Sequence, residues 1–392
     1  MEQKPKRSIE GFSKNSKRKK LEWVATHFFE DPAKAEETIR RFWLHNEIDQ
    51  KLMDGISENT IGNFIMPFGI APNFVINGIT YALPMVIEES SVIAAASSAA
   101  KYWQSRGGFK ATVISTLKVG QVHFFWNGDI RKWHNIWPKV DQKLRQAAMP
   151  ITENMEKRGG GIRSIELLDF TTEEPNYYQL RVSFETCNSM GANFINSVLE
   201  CFALELADIA EQQAGFTETE KDLNVLMSIL SNYTPECLVK AEVSCPITDL
   251  GTWEGIESQE LAERFYQAIR IAHIDTYRAT THNKGIFNGI DALVLATAND
   301  FRAIEACGHT YAARDGKYRS LSDCCIDDGI FHFWLEIPMN VGTVGGLTKQ
   351  HPMADFSLQL LGNPDATTLM EMIAVLGLAQ NFAAVRSLVT SG

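Results

Sequence analysis

One alternation of segments constrains the fold of this 392-residue chain more than any other feature. Between about Thr112 and Asn232 the pattern runs strand (112–125), helix (near 142–157), strand (162–170), strand (177–186), helix (191–214) and strand (224–230). That order is the split βαβ, or ferredoxin-like, arrangement, whose compact size suits an inserted domain. Its second helix is the best supported, because Ile195, Val198, Leu199, Phe202, Leu206 and Ile209 recur at helical spacing and give one apolar face.

The flanking sequence reads differently. Helical periodicity dominates the first 55 residues, with Trp23, Val24, His27 and Phe28 on one side and a second segment over 32–51. Turn chemistry follows around Pro67, Gly69, Pro72 and Gly78, and a strand over 79–87 then feeds a helix beginning near 88–91. Beyond Asn232 come helical stretches over 259–276 and 367–389, the last with Gln380 and Asn381 inside it. The expected fold class is α+β. A large, mostly helical substrate domain, residues 1–110 and 233–392, carries an inserted ferredoxin-like cofactor domain, residues 111–232.

Composition narrows the function. A net charge of −11 argues against general affinity for nucleic acid, which needs clustered Lys and Arg. Apolar stretches such as 92–100 are too short to cross a bilayer, and the start, with Lys4, Lys6 and Arg7, carries no secretion signal, so no membrane is expected and the cytoplasm is the expected address. Seven cysteines without metal-ligand spacing predict free thiols and no structural zinc. Lys14, Lys17, Arg18, Lys19 and Lys20 form a basic entry to a helix, either solvated or in contact with a phosphorylated ligand.

Neither a GxGxxG fingerprint nor a GxxxxGK[ST] loop is present, which excludes the usual nucleotide-binding loops. The glycine clusters at 159–161 and 345–346 read as turns. Two segments carry chemistry. In Pro84-Met85-Val86-Ile87-Glu88-Glu89-Ser90-Ser91, carboxylates and hydroxyls interrupt a strand-to-helix junction, where free N–H groups can hold an anion. In Thr281-His282-Asn283-Lys284-Gly285-Ile286-Phe287-Asn288-Gly289, Lys284 has apolar neighbours, and a partly buried lysine needs a carboxylate, which Asp300 in Ala298-Asn299-Asp300-Phe301-Arg302 could supply.

Taken in order, these segments resemble the 3-hydroxy-3-methylglutaryl-CoA reductases of the bacterial-type class, class II. Glu58-Asn59-Thr60-Ile61-Gly62 is similar to the family's ENVxG motif, and Glu88-Glu89-Ser90-Ser91 to its catalytic glutamate segment. Asn188-Ser189-Met190-Gly191-Ala192-Asn193 is similar to its DAMGxN cofactor motif, and Ser231-Asn232 to an active-site turn. His282-Asn283-Lys284-Gly285 resembles its lysine motif, Asn299-Asp300 its aspartate motif, and Gly342-Thr343-Val344-Gly345-Gly346 a glycine-rich segment.

The resemblance implies Glu89 as proton donor, Lys284 as the cation that polarises the reacting carbonyl, and Asp300 as the residue that orients both. It implies Ser91, Arg278 and Asn288, with Asn232 and Gln380, as substrate-binding residues. Asn188, Met190, Gly191 and Asn193 would bind the cofactor. Asn188 stands where the family has an acid, and Thr152 where NADH-preferring members carry an aspartate. NADPH is therefore the expected cofactor, with NADH as the alternative, and no metal. The implied reaction links HMG-CoA to mevalonate and CoA, in a homodimer or larger homo-oligomer with the site between subunits. No segment matches the family's C-terminal flap, and none of the nine histidines sits in the motif of its catalytic histidine. The rival readings are a CoA-thioester lyase or hydrolase, and an inert CoA- or dinucleotide-binding protein.

Overall fold

The structure is a computed structural model describing residues 8–390, so Lys4, Lys6, Arg7 and the last two positions lie outside the described residues. It separates into two packing units, Met1–Pro67 and Phe68–Gly392. In the first, caps write the helix boundaries. Ser16 caps α1 (Lys17–Phe28), Asp31 with Pro32 at the first helical position starts α2 (Pro32–Arg40), and Asn46 caps α3 (Glu47–Asp54). The expected single segment over 32–51 is thus two helices, broken where Asn46 takes the N–H groups of Ile48 and Asp49. Lys17 is engaged within this unit, its ammonium 2.7 Å from Asp54 and over the Trp43 ring.

The second unit opens with a hairpin of β1 (Phe68–Ile76) and β2 (Ile79–Val86). Its two-residue turn, Asn77-Gly78, has φ of 49° and 84°, the left-handed pair that matches strand twist. Next come α4 (Ser90–Gln104), β3 (Lys110–Val113) and β4 (Lys118–Phe125). Here the structure corrects the sequence reading: 112–125 is two strands in two different sheets. Ile114 N–H and Ser115 N–H still donate to Leu238 O, whereas the Thr116 hydroxyl already bonds the Glu185 carboxylate of the next sheet. Ala111 and Val113 therefore pair with Ala241 and Val239 in the other sheet, which sets these two residues apart from the sheet that holds β4.

Residues from β4 onward form α5 (Ile130–Glu156), β5 (Gly161–Asp169), β6 (Tyr177–Glu185), α6 (Ala192–Gln212), the short α7 (Glu218–Lys221) and β7 (Asn224–Leu230). Their sheet runs β5-β6-β4-β7 with every pair antiparallel, which is the split βαβ order. Its core sets Val122, Leu180 and Val182 of the sheet among Leu144, Val198 and Phe202 of the two long helices. The first of these helices starts at Ile130 rather than near 142, because Asp129 caps it and Pro138 is accommodated inside it.

The chain then adds β8 (Leu238–Pro246), α8 (Ser258–Ile274), α9 (Thr276–Ala296), α10 (Phe301–Ala312), β9 (Ser322–Asp327), β10 (Ile330–Pro338), α11 (Pro352–Leu360) and α12 (Ala366–Thr390). A second antiparallel sheet orders β3-β8-β10-β9. By length and composition α12 is apolar enough to cross a membrane, which corrects the expectation that no stretch is. Its apolarity serves the core: 78% of the most apolar window is buried, and the helix packs on α9, α4, α8 and the second sheet. Gly289 makes the α9 contact possible, since a Cβ there would stand 2.8 Å from Leu376 O.

Candidate functional site

Glu89 occupies the cap position before α4, with extended backbone (φ −98°, ψ 127°), and makes no side-chain cap bond. Its carboxylate is therefore free for other work. Ser91 Oγ donates to one oxygen at 3.2 Å, and Lys284 Nζ lies 3.6 Å from the other. The lysine comes from the middle of α9. Its side chain is 65% exposed and that of Glu89 47%, so Lys284 is not the partly buried residue its motif suggested. An ion pair this open adds at most about 1 kcal/mol to stability. What the structure supplies is a cation and a carboxylate held side by side at a helix start.

Asp300 does not pair directly with Lys284, contrary to expectation. It caps α10, accepting from Arg302 N and Ala303 N, and both its oxygens are gripped by the Arg302 guanidinium at 3.1 Å. Orphan N–H groups at its own helix start and a cation two residues on claim it first. Asn288, one turn after Lys284, shares that residue's face of α9. Ser91 is exposed beside Glu89, and Asn232 is exposed in the turn after β7. Arg278, half-buried in the first turn of α9, makes no guanidinium hydrogen bond to the described residues, and burial pulls its pKa down. Gln380 departs from expectation: it is 5% exposed, in the α9–α12 interface, with Oε1 unbonded.

The cofactor-like loop is built around Gly191. Its φ of 88° and a Cβ position 2.5 Å from Thr186 Cγ2 demand glycine, and it leaves the first turn of α6 without a side-chain cap. Uncapped N–H groups and the exposed Asn193 suit an anionic group such as a phosphate. Half-buried Met190 offers its carbonyl to Asn340 Nδ2 at 3.2 Å. Thr343 N–H donates to Asn188 O at 2.9 Å, and Gly342 N–H donates to Asn299 Oδ1 at 2.8 Å. This chain of bonds ties the loop to the residue preceding Asp300. Gly342 must be glycine, because a Cβ would meet Met190 N at 2.6 Å. The Asn188 side chain commits only its Oδ1 among the described residues, accepting the N–H of Ala366, the first residue of α12, at 3.0 Å, and the residue is exposed.

Thr152 contradicts its assigned place. It is 2% exposed on α5, the last member of the buried stripe Val140, Leu144, Ala148, Thr152, and has no surface for a ribose. Sequence reasoning also missed Asn340 as a loop anchor, and no local pattern marks it, while Asn299 stood in the aspartate motif without that role.

Farther along the Lys284 face of α9 lies Asp291, paired with Glu305 of α10. Burial, then the Glu305 charge, push its pKa up to about 8. In the unfolded chain an aspartate titrates near 4, so between about 4 and 8 the folded state holds a proton that the unfolded state has lost. The pair's contribution is complete below the lower value and declines as pH rises toward the upper one. Asp291→Asn should therefore flatten the loss of thermal midpoint between pH 5 and 9; parallel wild-type and variant curves would refute the raised pKa of Asp291.

A family model described as hydroxymethylglutaryl-coenzyme A reductase matches residues 17–392. The chain is 37% identical over 389 residues to a 3-hydroxy-3-methylglutaryl-coenzyme A reductase of Archaeoglobus fulgidus, covering 98% of this chain and 83% of that protein. It is 32% identical over 350 residues to a probable reductase of the same name from Borreliella burgdorferi, covering 89% and 77%. Among solved structures, the class II 3-hydroxy-3-methylglutaryl-CoA reductase from Streptococcus pneumoniae, bound to NADPH in open conformations, is similar with TM-score 0.79 at 35% identity, covering 98% of this chain and 100% of that one.

Proposed function

Because the chain belongs to the hydroxymethylglutaryl-coenzyme A reductase family, we propose that it interconverts HMG-CoA and mevalonate plus CoA with two equivalents of NADPH, or of NADH, and that Glu89, Lys284 and Asp300 carry the chemistry. The observation that carries this reading is the Lys284 ammonium 3.6 Å from the Glu89 carboxylate at the start of α4. Reduction of a thioester to an alcohol builds negative charge on one oxygen twice, and a fixed ammonium at that oxygen stabilises both transition states. Glu89, hydrogen-bonded to Ser91 and beside the lysine, would take up a proton from solvent and pass it to the oxyanion, which becomes a hydroxyl as Glu89 returns to its carboxylate form. Asp300, held by its own helix and Arg302, acts as a fixed negative charge on the loop that Asn299 anchors.

The nucleotide, when bound, supplies the hydride. The uncapped start of α6 with Gly191 and Asn193 is the part of this chain suited to its phosphates, and the NADPH seen in the Streptococcus pneumoniae enzyme supports the choice of cofactor. The preference for NADPH does not rest on Thr152. We infer a homodimer with the site between subunits, acting in the cytoplasm.

The test is nicotinamide absorbance with each nucleotide, HMG-CoA present or absent. Oxidation of two nucleotides per thioester supports the reductase. Thioester loss without oxidation would make the protein a lyase or hydrolase, and binding without turnover an inert binder.

A further inference from the structure

On the inner side of the α9 turn that carries Lys284, three buried side chains close a ring. His282, Ser322 and Asn381 are 2%, 0% and 1% exposed. His282 Nε2 lies 2.7 Å from Ser322 Oγ, Ser322 Oγ 2.7 Å from Asn381 Oδ1, and Asn381 Nδ2 3.5 Å from His282 Nδ1. A hydroxyl has one proton to give, and an amide oxygen can only accept. Ser322 therefore donates to Asn381 and must accept from His282. That assigns the imidazole proton to Nε2 and leaves Nδ1 to accept from the Asn381 amide, so the ring runs in one direction. Burial, with the charges of Arg278 and His273, pushes the His282 pKa down to about 3, which keeps the imidazole neutral at ordinary pH.

The neighbouring Asn283 adds a second fastening: its Nδ2 donates to Arg319 O at 2.9 Å, and its Oδ1 accepts from Leu321 N–H at 3.0 Å. Two consecutive side chains of α9 thus bind it to the segment entering β9, and Asn381 binds both to α12. Lys284 is the next residue. With 282 and 283 fixed inward, the backbone has no freedom to roll, and the lysine must leave on the opposite, exposed side where Glu89 stands.

We propose that the His282–Ser322–Asn381 ring is a positioning device: it sets the rotation of α9 and so the place of the Lys284 ammonium, with His282 acting as a neutral positioning residue and not as an acid or base. The proposal rests on the reductase reading. A reacting charge displaced by about 1 Å can cost on the order of 10²-fold in rate.

The experiment compares Ser322→Ala, which opens the ring, with Ser322→Thr, which keeps the hydroxyl. Turnover, KM for HMG-CoA and for NADPH, and thermal midpoint are measured on the full chain. Alongside, nitrogen NMR of histidine-labelled wild type reads the His282 tautomer from pH 5 to 8. Ser322→Ala should lose about 10- to 100-fold in turnover, with KM for NADPH unchanged, the midpoint above assay temperature, and threonine restoring most of the loss. The NMR should show a neutral ring protonated at Nε2 throughout. Wild-type turnover in Ser322→Ala would overturn the proposal, as would a loss that merely follows the folded fraction. A ring protonated at Nδ1 or at both nitrogens would overturn it even if neither variant folds. Absence of turnover in wild type would instead sink the reductase reading, while the tautomer measurement still judges the ring.

Discussion

Lys284→Ala should lower turnover by about 10²- to 10⁴-fold, a loss of roughly 3–5 kcal/mol of transition-state stabilisation, with little change in thermal midpoint. The two halves of that expectation have separate causes. Stability is spared because the side chain is 65% exposed and its one ion pair, to Glu89, is open to water. Turnover is lost because the charge that develops on the substrate oxygen would have no fixed cation opposite it. Lys284→Arg should recover part of the loss, since it keeps the charge but spreads it over a planar fork of different reach. The measurement is kcat at saturating HMG-CoA and NADPH beside a melting curve. Near-wild-type turnover in the alanine variant would remove Lys284 from the mechanism.

The same exposure bears on how the site works. A cation in water is screened by the solvent around it, and its effect on a reacting group grows when water is driven off. In the single chain the pair is open, with the side chains of Lys284 and Glu89 65% and 47% exposed, so full strength requires something to cover it. A thioester bound there, as proposed above, would do this in part. A second subunit over the same surface, as inferred above, would do the rest, and the lysine variant's defect should then be measured on the assembled protein.

The sequence disclosed what local rules determine. The stripe Ile195, Val198, Leu199, Phe202 required a helix packed on a sheet and found one, and Glu89 and Lys284, placed by motif, meet in space across almost 200 residues of chain. It hid what distant partners decide. Residues 112–125 have unbroken strand character, yet Leu238 claims one end and Glu185 the other, so the run crosses between sheets. Asp300 looked like a partner for Lys284 because charge pairing was read without geometry. Its own helix start and Arg302 hold it instead. Ser322 gave no signal, since nothing local distinguishes a serine that completes a buried ring from one at the surface. The polar pair Gln380-Asn381 inside an apolar helix was visible, but only the fold showed that Asn381 serves His282 and that Gln380 lies under Gly289.

Thr152→Asp should destabilise the protein without switching it toward NADH. The substitution would test a ribose contact if the residue faced solvent, but Thr152 closes the inward stripe of α5 at 2% exposed. That register follows from spacing alone once the helix is known to begin at Ile130: Val140, Leu144, Ala148 and Thr152 succeed one another four residues apart along one face. A carboxyl group placed there loses its hydration, and none of the salt bridges among the described residues brings a cation to that stripe. Its pKa should rise by several units, leaving a penalty of about 3–5 kcal/mol near neutral pH. Because the folded-state pKa would lie above the unfolded one, the penalty should shrink toward pH 5 and grow toward pH 8. Melting curves at the two pH values, beside kcat/KM for NADPH and NADH, decide the matter. A stable variant with its preference moved to NADH would return Thr152 to the ribose pocket, whereas a lower midpoint that deepens with pH and an unchanged nucleotide ratio would place it in the core.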